Sequence, residues 1–433
     1  MFIKNREWCL RLFFLAFLFA SQIASANGYV LEKVVEVSRH GVRPPTPGNT
    51  KAMETGTARQ WPVWLTHDGE LTGHGYAAAV IKGRYEAVRL RKQGVLKPGC
   101  PDAGSIFVWA SPYQRTKATA KALVDGAFPG CGVDIHSVQA AKDPLFHNDK
   151  MGLVKLDKNK ALSGIKKAMG GSIVLAEKKA QKDITAIESV VCKENHPCPV
   201  FDEKWSVRQK EDGRFEVKGL GTLANMAETF RLAWSNNNPE KDIAFGAVHS
   251  SQDVARLMPL LTTKYDYIND VPYIAMRGGS VLMNQIVQAL DIRNTDTQIG
   301  PPDVRWLLYV AHDTNLSWLR TMLNFSWKLG DYPRGNIPPT GSLIFERWRE
   351  EKSGQRFIRL YFQAQSLDQI RYLVSLDTHH QPLKQEYSMA HCQKTNVGVL
   401  CPYQEMMTHI KSSIDASAVI PVSYKEQRKY SGL

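Results

Sequence analysis

The feature that most narrows what this chain can fold into is a repeated order of segments. Four times an apolar run of strand length ends in polar residues and gives way to a helical pattern. Residues 29–38 end at Arg39-His40-Gly41, and residues 105–110 lead past Pro112 into a helix over about 113–124. Residues 243–248 lead past His249 into a helix after Ser250, and residues 306–310 precede one around 316–323. A further helix opens at Leu71-Thr72 and runs to Leu90, with Thr72 placed to cap it. This alternation predicts an α/β fold, a mostly parallel sheet flanked by helices. Residues 342–348 and 357–363 read as a hairpin around Lys352-Ser353-Gly354. In such sheets ligands bind beyond the carboxyl ends of the strands. Arg39-His40, Arg115, His249 and His312-Asp313 all fall at or just past such ends.

Between about Pro144 and Trp234 the pattern is helical, polar and Lys-rich. This predicts a helical cap domain over 144–234, inserted into a sheet domain built from 27–143 and 235–433. With 433 residues, 43% hydrophobic and 22% charged, the chain has a globular balance that excludes a disordered or fibrous protein.

The N-terminus reads as an export signal. Lys4, Arg6 and Arg11 are basic, residues 12–20 are apolar, and Ala24-Ser25-Ala26 is a small-residue cleavage box. A signal peptide over 1–26 is expected, cleaved before Asn27. The apolar run covers only about half of a bilayer core at roughly 1.5 Å per residue, so no stable membrane anchor is expected after cleavage. The mature protein is expected to be periplasmic or secreted. Of seven cysteines, Cys9 lies in the leader, and the other six suit disulfides in an oxidising compartment. Fifteen pairings are open, and the short-range set Cys100–Cys131, Cys192–Cys198 and Cys392–Cys401 is expected. Their spacing matches no zinc motif, and neither a metal nor another cofactor is expected.

The segment Ser38-Arg39-His40-Gly41-Val42-Arg43-Pro44-Pro45-Thr46 carries the chemistry. Two guanidiniums flanking an imidazole suit a phosphate, whose oxygens match the planar donors of Arg. Gly41 would let the backbone approach the ligand, and a following helix would aim its N-terminal amides at an anion. A bare Arg-His-Gly is more often an exposed basic turn; Arg43 and Pro45 tip the balance.

With Val310-Ala311-His312-Asp313-Thr314-Asn315, Asp143-Pro144-Leu145-Phe146 and the 338–348 segment Pro-Pro-Thr-Gly-Ser-Leu-Ile-Phe-Glu-Arg-Trp, this R-H-G-x-R-x-P motif resembles the histidine acid phosphatase family. Within it the likeness is to the bacterial periplasmic phytases and glucose-1-phosphatases, over nearly the whole mature chain. The resemblance implies a phosphoglycerate-mutase-like sheet and short-range disulfides that fit the pairs above. It implies a metal-independent hydrolysis of phosphomonoesters in acid. His40 would be the nucleophile, forming a phosphohistidine, and Asp313 the proton donor to the leaving alcohol. Arg39, Arg43, Arg115 and His312 would hold the phosphoryl oxygens, and Thr46 and Thr314 would touch the substrate. Three neighbouring guanidiniums should keep the imidazole unprotonated in acid. A buried Asp313 beside a phosphate dianion should have its pKa pushed upward.

His249 matches the family only loosely, and structural hydrogen bonding is the expected role. Lys150, Lys155, Lys158, Lys160, Lys166, Lys167, Lys178, Lys179 and Lys182 read first as solvated helix faces, with electrostatic steering of an anionic substrate as the functional alternative. No nucleic-acid motif accompanies the net charge of +13, so the partner expected is a small-molecule phosphomonoester. His312-Asp313-Thr314-Asn315 resembles the phytase form more than the glucose-1-phosphatase form. However, Pro47 stands where enteric phytases carry a Lys, and Lys51 is the nearest substitute. Two further readings are open: a mutase-like phosphotransferase sharing the R-H-G nucleophile, and a non-catalytic phosphate-binding protein.

Overall fold

The computed structural model describes residues 28–293 and 300–424. The expected leader and its cleavage site lie outside the described residues. In chain order, β1 (Tyr29–Arg39) is followed by α1 (Pro47–Thr57) and α2 (Gly73–Lys92), and β2 (Ile106–Ala110) by α3 (Gln114–Ala127). Next come α4 (Pro144–His147), α5 (Lys158–Ala168), α6 (Ile173–Val191), the strands β3 (Ser206–Gln209) and β4 (Phe215–Lys218), and α7 (Leu220–Ser235). They lead to α8 (Ser251–Leu257), α9 (Pro259–Lys264), a π-helical turn Tyr265–Asn269, and α10 (Pro272–Leu290). β5 (Trp306–Ala311) and α11 (Asp313–Met322) close the α/β part. β6 (Ser342–Glu350), β7 (Arg356–Ala364), α12 (Leu367–Arg371), β8 (Leu383–Glu386), β9 (Gln393–Thr395), β10 (Gly398–Pro402) and α13 (Tyr403–Ser412) complete the chain.

The main sheet has eight strands in the order β2-β5-β1-β6-β7-β10-β9, with β8 also paired to β7. The α/β sheet flanked by helices is as expected, but it is mixed. β2, β5 and β1 run parallel, whereas β6 pairs antiparallel with β1 and with β7, and the later strands are antiparallel too. The physical reason is the short turn between β6 and β7. A tight hairpin can only reverse the chain, whereas parallel neighbours need a long crossover. The strands that carry the histidine motifs are in the parallel half.

β1 is rich in β-branched residues and buried along most of its length, as a central strand covered on both faces must be. Val35 and Val37 face a core shared with α7, α10 and α11, while Val34 faces the core of α2 and α3. Leu31 joins Val34 rather than Val35 because a register shift between Leu31 and Lys33 flips the alternation. α2 starts where the sequence places it: Thr72 Oγ1 accepts from Gly75 N at 2.9 Å. α2 and α3 pack at backbone contact. A Cβ on Gly83 would lie 2.0 Å from the Leu123 carbonyl oxygen, and one on Gly126 2.0 Å from that of Val80.

Two segments depart from the reading above. Residues 243–248 form no strand but a 3₁₀ turn at Ala244–Gly246, just after another at Glu240–Asp242, with Ala244 and Phe245 at positive φ. Their apolar side chains dock as a knot: Phe245 packs edge-on against Trp61, and the Arg59 guanidinium lies 3.4 Å from its centroid. The 144–234 region is not wholly helical either, since β3 and β4 pair antiparallel within it. Its apolar residues share one continuous core with a face of the main sheet. The expected disulfides are formed, Cys100–Cys131, Cys192–Cys198 and Cys392–Cys401. No helix among the described residues is long and apolar enough to cross a membrane.

Candidate active site

Because β1 and β5 are parallel neighbours, their carboxyl ends lie side by side, and the residue after each is a histidine. His40 N donates to Ala311 O at 3.0 Å, and His40 O accepts from Thr340 N at 3.1 Å, so its backbone is held from both sides. Gly41 N donates to Thr119 Oγ1 at 2.9 Å, and a Cβ there would lie 2.8 Å from Leu71 Cδ1. Gly41 thus also packs tightly against the start of α2, with the Gly75 carbonyl oxygen 3.3 Å from where a Cβ would lie.

The His40 ring is buried, with Nδ1 2.9 Å from the Gly41 carbonyl oxygen. A carbonyl only accepts, so Nδ1 carries the proton and Nε2 keeps its lone pair. Burial first, then the charges of Arg115, Arg39 and Arg43, hold the imidazole pKa well below its ordinary value. The ring stays neutral in acid.

Three guanidiniums surround it. Arg39 is fully buried, donating from Nη1 to Ile337 O at 2.6 Å and from Nη2 to Glu228 Oε1 at 2.5 Å. Arg43 Nη1 donates to Pro44 O at 2.8 Å. Arg115, at the start of α3, donates from Nη1 to Gly69 O at 3.3 Å and lies over the Tyr113 ring at 4.7 Å. Burial and the neighbouring Arg43 bring its pKa down to about 10. In all three the Nε is buried without a hydrogen-bond partner among the described residues. Buried donors in this number, close to one histidine, suit an anion with several acceptor oxygens.

His312 and Asp313 come from the turn into α11. The two rings His40 and His312 are 5.7 Å apart between centroids. His312 N donates to Asn315 Oδ1 at 3.1 Å, and its Nε2 lies 2.8 Å from Ser111 Oγ and 3.2 Å from His147 Nε2. Asp313 Oδ2 accepts from the Tyr265 hydroxyl. Burial pushes this carboxyl up, but Arg39, the Tyr265 hydrogen bond, Lys264 and Arg43 overcome it and hold the pKa well below the usual range. The protein's own charges thus act against the upward shift expected beside a phosphate dianion. Thr46 and Thr314 line a cleft of about 1000 Å³ together with Arg43 and Asp313.

The sequence-derived residues therefore cluster, with Arg43, Thr46, Asp313 and Thr314 at the cleft wall and Arg39, Arg115 and His312 close to His40, with one exception. His249 is exposed and pairs with Glu240 at 2.9 Å, the structural role expected of it. Lys51 is exposed on α1 and does not line the cleft, and Pro47 lines a separate aromatic pocket with Trp61 and Trp64. Of the Lys-rich tract, Lys150 and Lys155 line the cleft and the rest are exposed. Sequence reasoning missed Glu228, Ser111, His147, Lys264 and Tyr265. His147 directly follows the Asp143–Phe146 motif and could have been found there; the other four carry no motif.

A buried histidine ringed by guanidiniums at the end of parallel strands, with a buried carboxyl beside the neighbouring histidine, defines an α/β enzyme that handles phosphoryl groups. Residues 30–363 match the model of the histidine phosphatase superfamily, branch 2. The chain is 30% identical over 388 residues to the phytase AppA of Escherichia coli K12, covering 86% of this chain and 89% of that protein. It is 28% identical to a glucose-1-phosphatase of Salmonella typhimurium, covering 80% of this chain and 83% of the relative. Among solved structures, the phytase of Klebsiella sp. ASR1 superposes with a TM-score of 0.88 at 48% identity, covering 92% of this chain and 98% of that one. The chain belongs to the histidine phosphatase superfamily, branch 2. It is a phosphomonoester hydrolase of the histidine acid phosphatase type.

Proposed function

We propose that His40 is the nucleophile, Asp313 the proton donor, and the enzyme an exported, metal-independent acid phosphatase of phytase-like specificity. The observation that carries this is the His40 ring itself: buried, its pKa held low, with no hydrogen bond at Nε2 among the described residues and three guanidiniums around it. Nε2 attacks phosphorus, the bond to the ester oxygen breaks, and that oxygen keeps the electron pair and takes a proton from Asp313. Water then attacks the phosphohistidine, giving its proton to the Asp313 carboxylate, and the P–N bond electrons return to Nε2. Arg39, Arg43, Arg115 and His312 bind the phosphoryl oxygens and stabilise charge that builds on them. Thr46 and Thr314 stand at the cleft wall to meet the rest of the substrate. A phosphate dianion offsets the guanidinium charge that keeps Asp313 ionised, and burial then favours its protonated form.

Substrate class follows from charge. Most carboxylates along the cleft are paired: Asp212 with Arg214, Glu216 with Arg208 and Lys210, Glu228 with Arg39 and Arg231. Lys150 and Lys264 line the same cleft, and their polar contacts are a Tyr113 ring face and Asn225 Oδ1 respectively. Neither lysine forms an ion pair within 4 Å among the described residues, although Asp149, Glu228 and Asp313 lie within electrostatic reach. Two such cations along the cleft suit a substrate with several phosphates, the role the sequence offered to Lys51. The disulfides and the leader pattern support a periplasmic or secreted enzyme, and no nucleic-acid partner is proposed.

The test is a rate panel of phytate, glucose 1-phosphate and p-nitrophenyl phosphate from acid to neutral pH, with and without chelator. Phytate is expected to have the highest kcat/KM, with no chelator effect. A preference for glucose 1-phosphate would assign the sugar-phosphatase specificity instead, and phosphate moved within the substrate rather than released would assign a mutase. For the mechanism, Asp313→Asn is expected to slow alkyl phosphates far more than p-nitrophenyl phosphate. Equal slowing removes Asp313 as proton donor.

A further inference from the structure

A carboxyl group that gives up a proton becomes a carboxylate, so whatever binds that carboxylate acts on the step. Tyr265 is 7% exposed and begins the π-helical turn after α9, and its hydroxyl donates to Asp313 Oδ2. Turns of this type occur frequently at functional sites. The phenol is itself fixed. Its backbone carbonyl accepts from Asp270 N at 2.8 Å, and the Asp270 carboxylate accepts from Arg320 and, at 2.9 Å, from Thr321 Oγ1. Arg320 and Thr321 lie near the end of α11, the helix that Asp313 begins, and the Arg320 guanidinium is 5.8 Å from the Tyr265 ring centroid. The turn thus braces α11 at both ends, through the hydroxyl at Asp313 and through Asp270 two turns further on.

We infer that Tyr265 is a positioning residue for proton donation: its hydroxyl holds Oδ2, so that Oδ1 is the atom that carries the proton to the leaving oxygen. The inference rests on Asp313 as the proton donor. As the P–O bond breaks, the ester oxygen keeps the bonding pair and takes the proton from Oδ1, and the negative charge left on Asp313 is shared into the hydrogen bond from Tyr265. That bond strengthens as the charge develops, so it favours the transition state over the ground state. Tyr265 keeps its own proton throughout, since burial and the adjacent carboxylate hold the phenol pKa well above its ordinary value.

The experiment compares Tyr265→Phe with the parent enzyme on glycerol phosphate and on p-nitrophenyl phosphate. Expected is a kcat loss of about tenfold on the alkyl ester, with KM within about twofold, and a loss of about threefold or less on the aryl ester, whose leaving group needs little protonation. The ratio of the two rates does not depend on the fraction of enzyme folded, so partial unfolding does not imitate the effect. Equal losses on both esters, or no loss on the alkyl ester, overturn the inference. In an Asp313→Asn background, adding Tyr265→Phe is expected to change the alkyl rate by less than about twofold, because the group it positions is gone. A full second loss there overturns it as well. The Asp313 assignment fails separately, when Asp313→Asn alone shows no difference between the esters.

Discussion

The Nε2 atoms of His147 and His312 lie 3.2 Å apart, and His147 Nδ1 is 3.2 Å from the backbone nitrogen of Asp143, which donates to it. The amide proton leaves His147 only one place for its own, Nε2, and from there it is donated to His312. The His312 proton is then on Nδ1. One backbone hydrogen bond at the start of α4 therefore sets the tautomer of the ring that lies 5.7 Å from that of His40.

Replacing His147 tests that chain of contacts. His147→Phe keeps a buried ring but removes the donor to His312, and kcat is expected to fall about tenfold, the range for a lost buried hydrogen bond. Steady-state kinetics on p-nitrophenyl phosphate measure it, and an unchanged kcat would show that Ser111 alone orients His312.

The same residue sets a pH dependence of stability. Burial, then the charges of Lys150 and Arg115, bring the His147 pKa down to about 3 from the ordinary 6.5. Between these values the unfolded chain binds a proton that the folded one does not, so this contribution falls as pH falls from about 6.5 towards 3. Asp143 opposes it in part: burial raises its pKa to about 6, so its contribution grows as pH falls from about 6 towards its unfolded value. The larger shift belongs to His147. In guanidinium chloride titrations, His147→Phe is expected to lose less stability between pH 6.5 and pH 4 than the parent, and an equal loss would count against the assignment.

The cleft lysines are expected to matter only for polyphosphorylated substrates. Lys150→Ala with Lys264→Ala should raise KM for phytate about tenfold and for p-nitrophenyl phosphate less than about twofold, and the phytate effect should shrink in high salt. An equal rise for both substrates would place the two lysines at the scissile phosphate instead.

Gly126→Ala probes the contact of α2 with α3. Its Cβ would sit 2.0 Å from the Val80 carbonyl oxygen, so the helices must separate, at a cost of about 1–3 kcal/mol. A lower Tm is expected, together with a raised KM, since α3 carries Arg115 at its start.

Much of the site was legible in the sequence because its strongest signals are local. Arg39, His40 and Arg43 lie within five consecutive residues at a strand end, and His312-Asp313 fall at another. Strands of nearly pure apolar composition followed by capped helices leave little choice of fold, and Thr72 starts α2 as its type requires. What escaped is what tertiary packing brings in. Tyr265 and Glu228 reach the cleft from the π-helical turn after α9 and from α7 by the way those elements pack, and nothing in their neighbouring residues marks them. The run 243–248 misled because apolar content alone does not separate a strand from a docked turn. The strands β3 and β4 were hidden by their polar, half-exposed residues, and the sheet's mixed character by the weight given to its earlier crossovers.

The backbone of His40 is bonded to Ala311 on one side and Thr340 on the other. His40 therefore has no finished surroundings until strands from the last third of the chain have joined the first. A nascent polypeptide released only as far as α10 carries His40 but neither Asp313 nor the two backbone segments that hold the histidine. Such a fragment is expected to leave phosphate esters uncleaved. Activity is expected only once the C-terminal strands have joined the sheet.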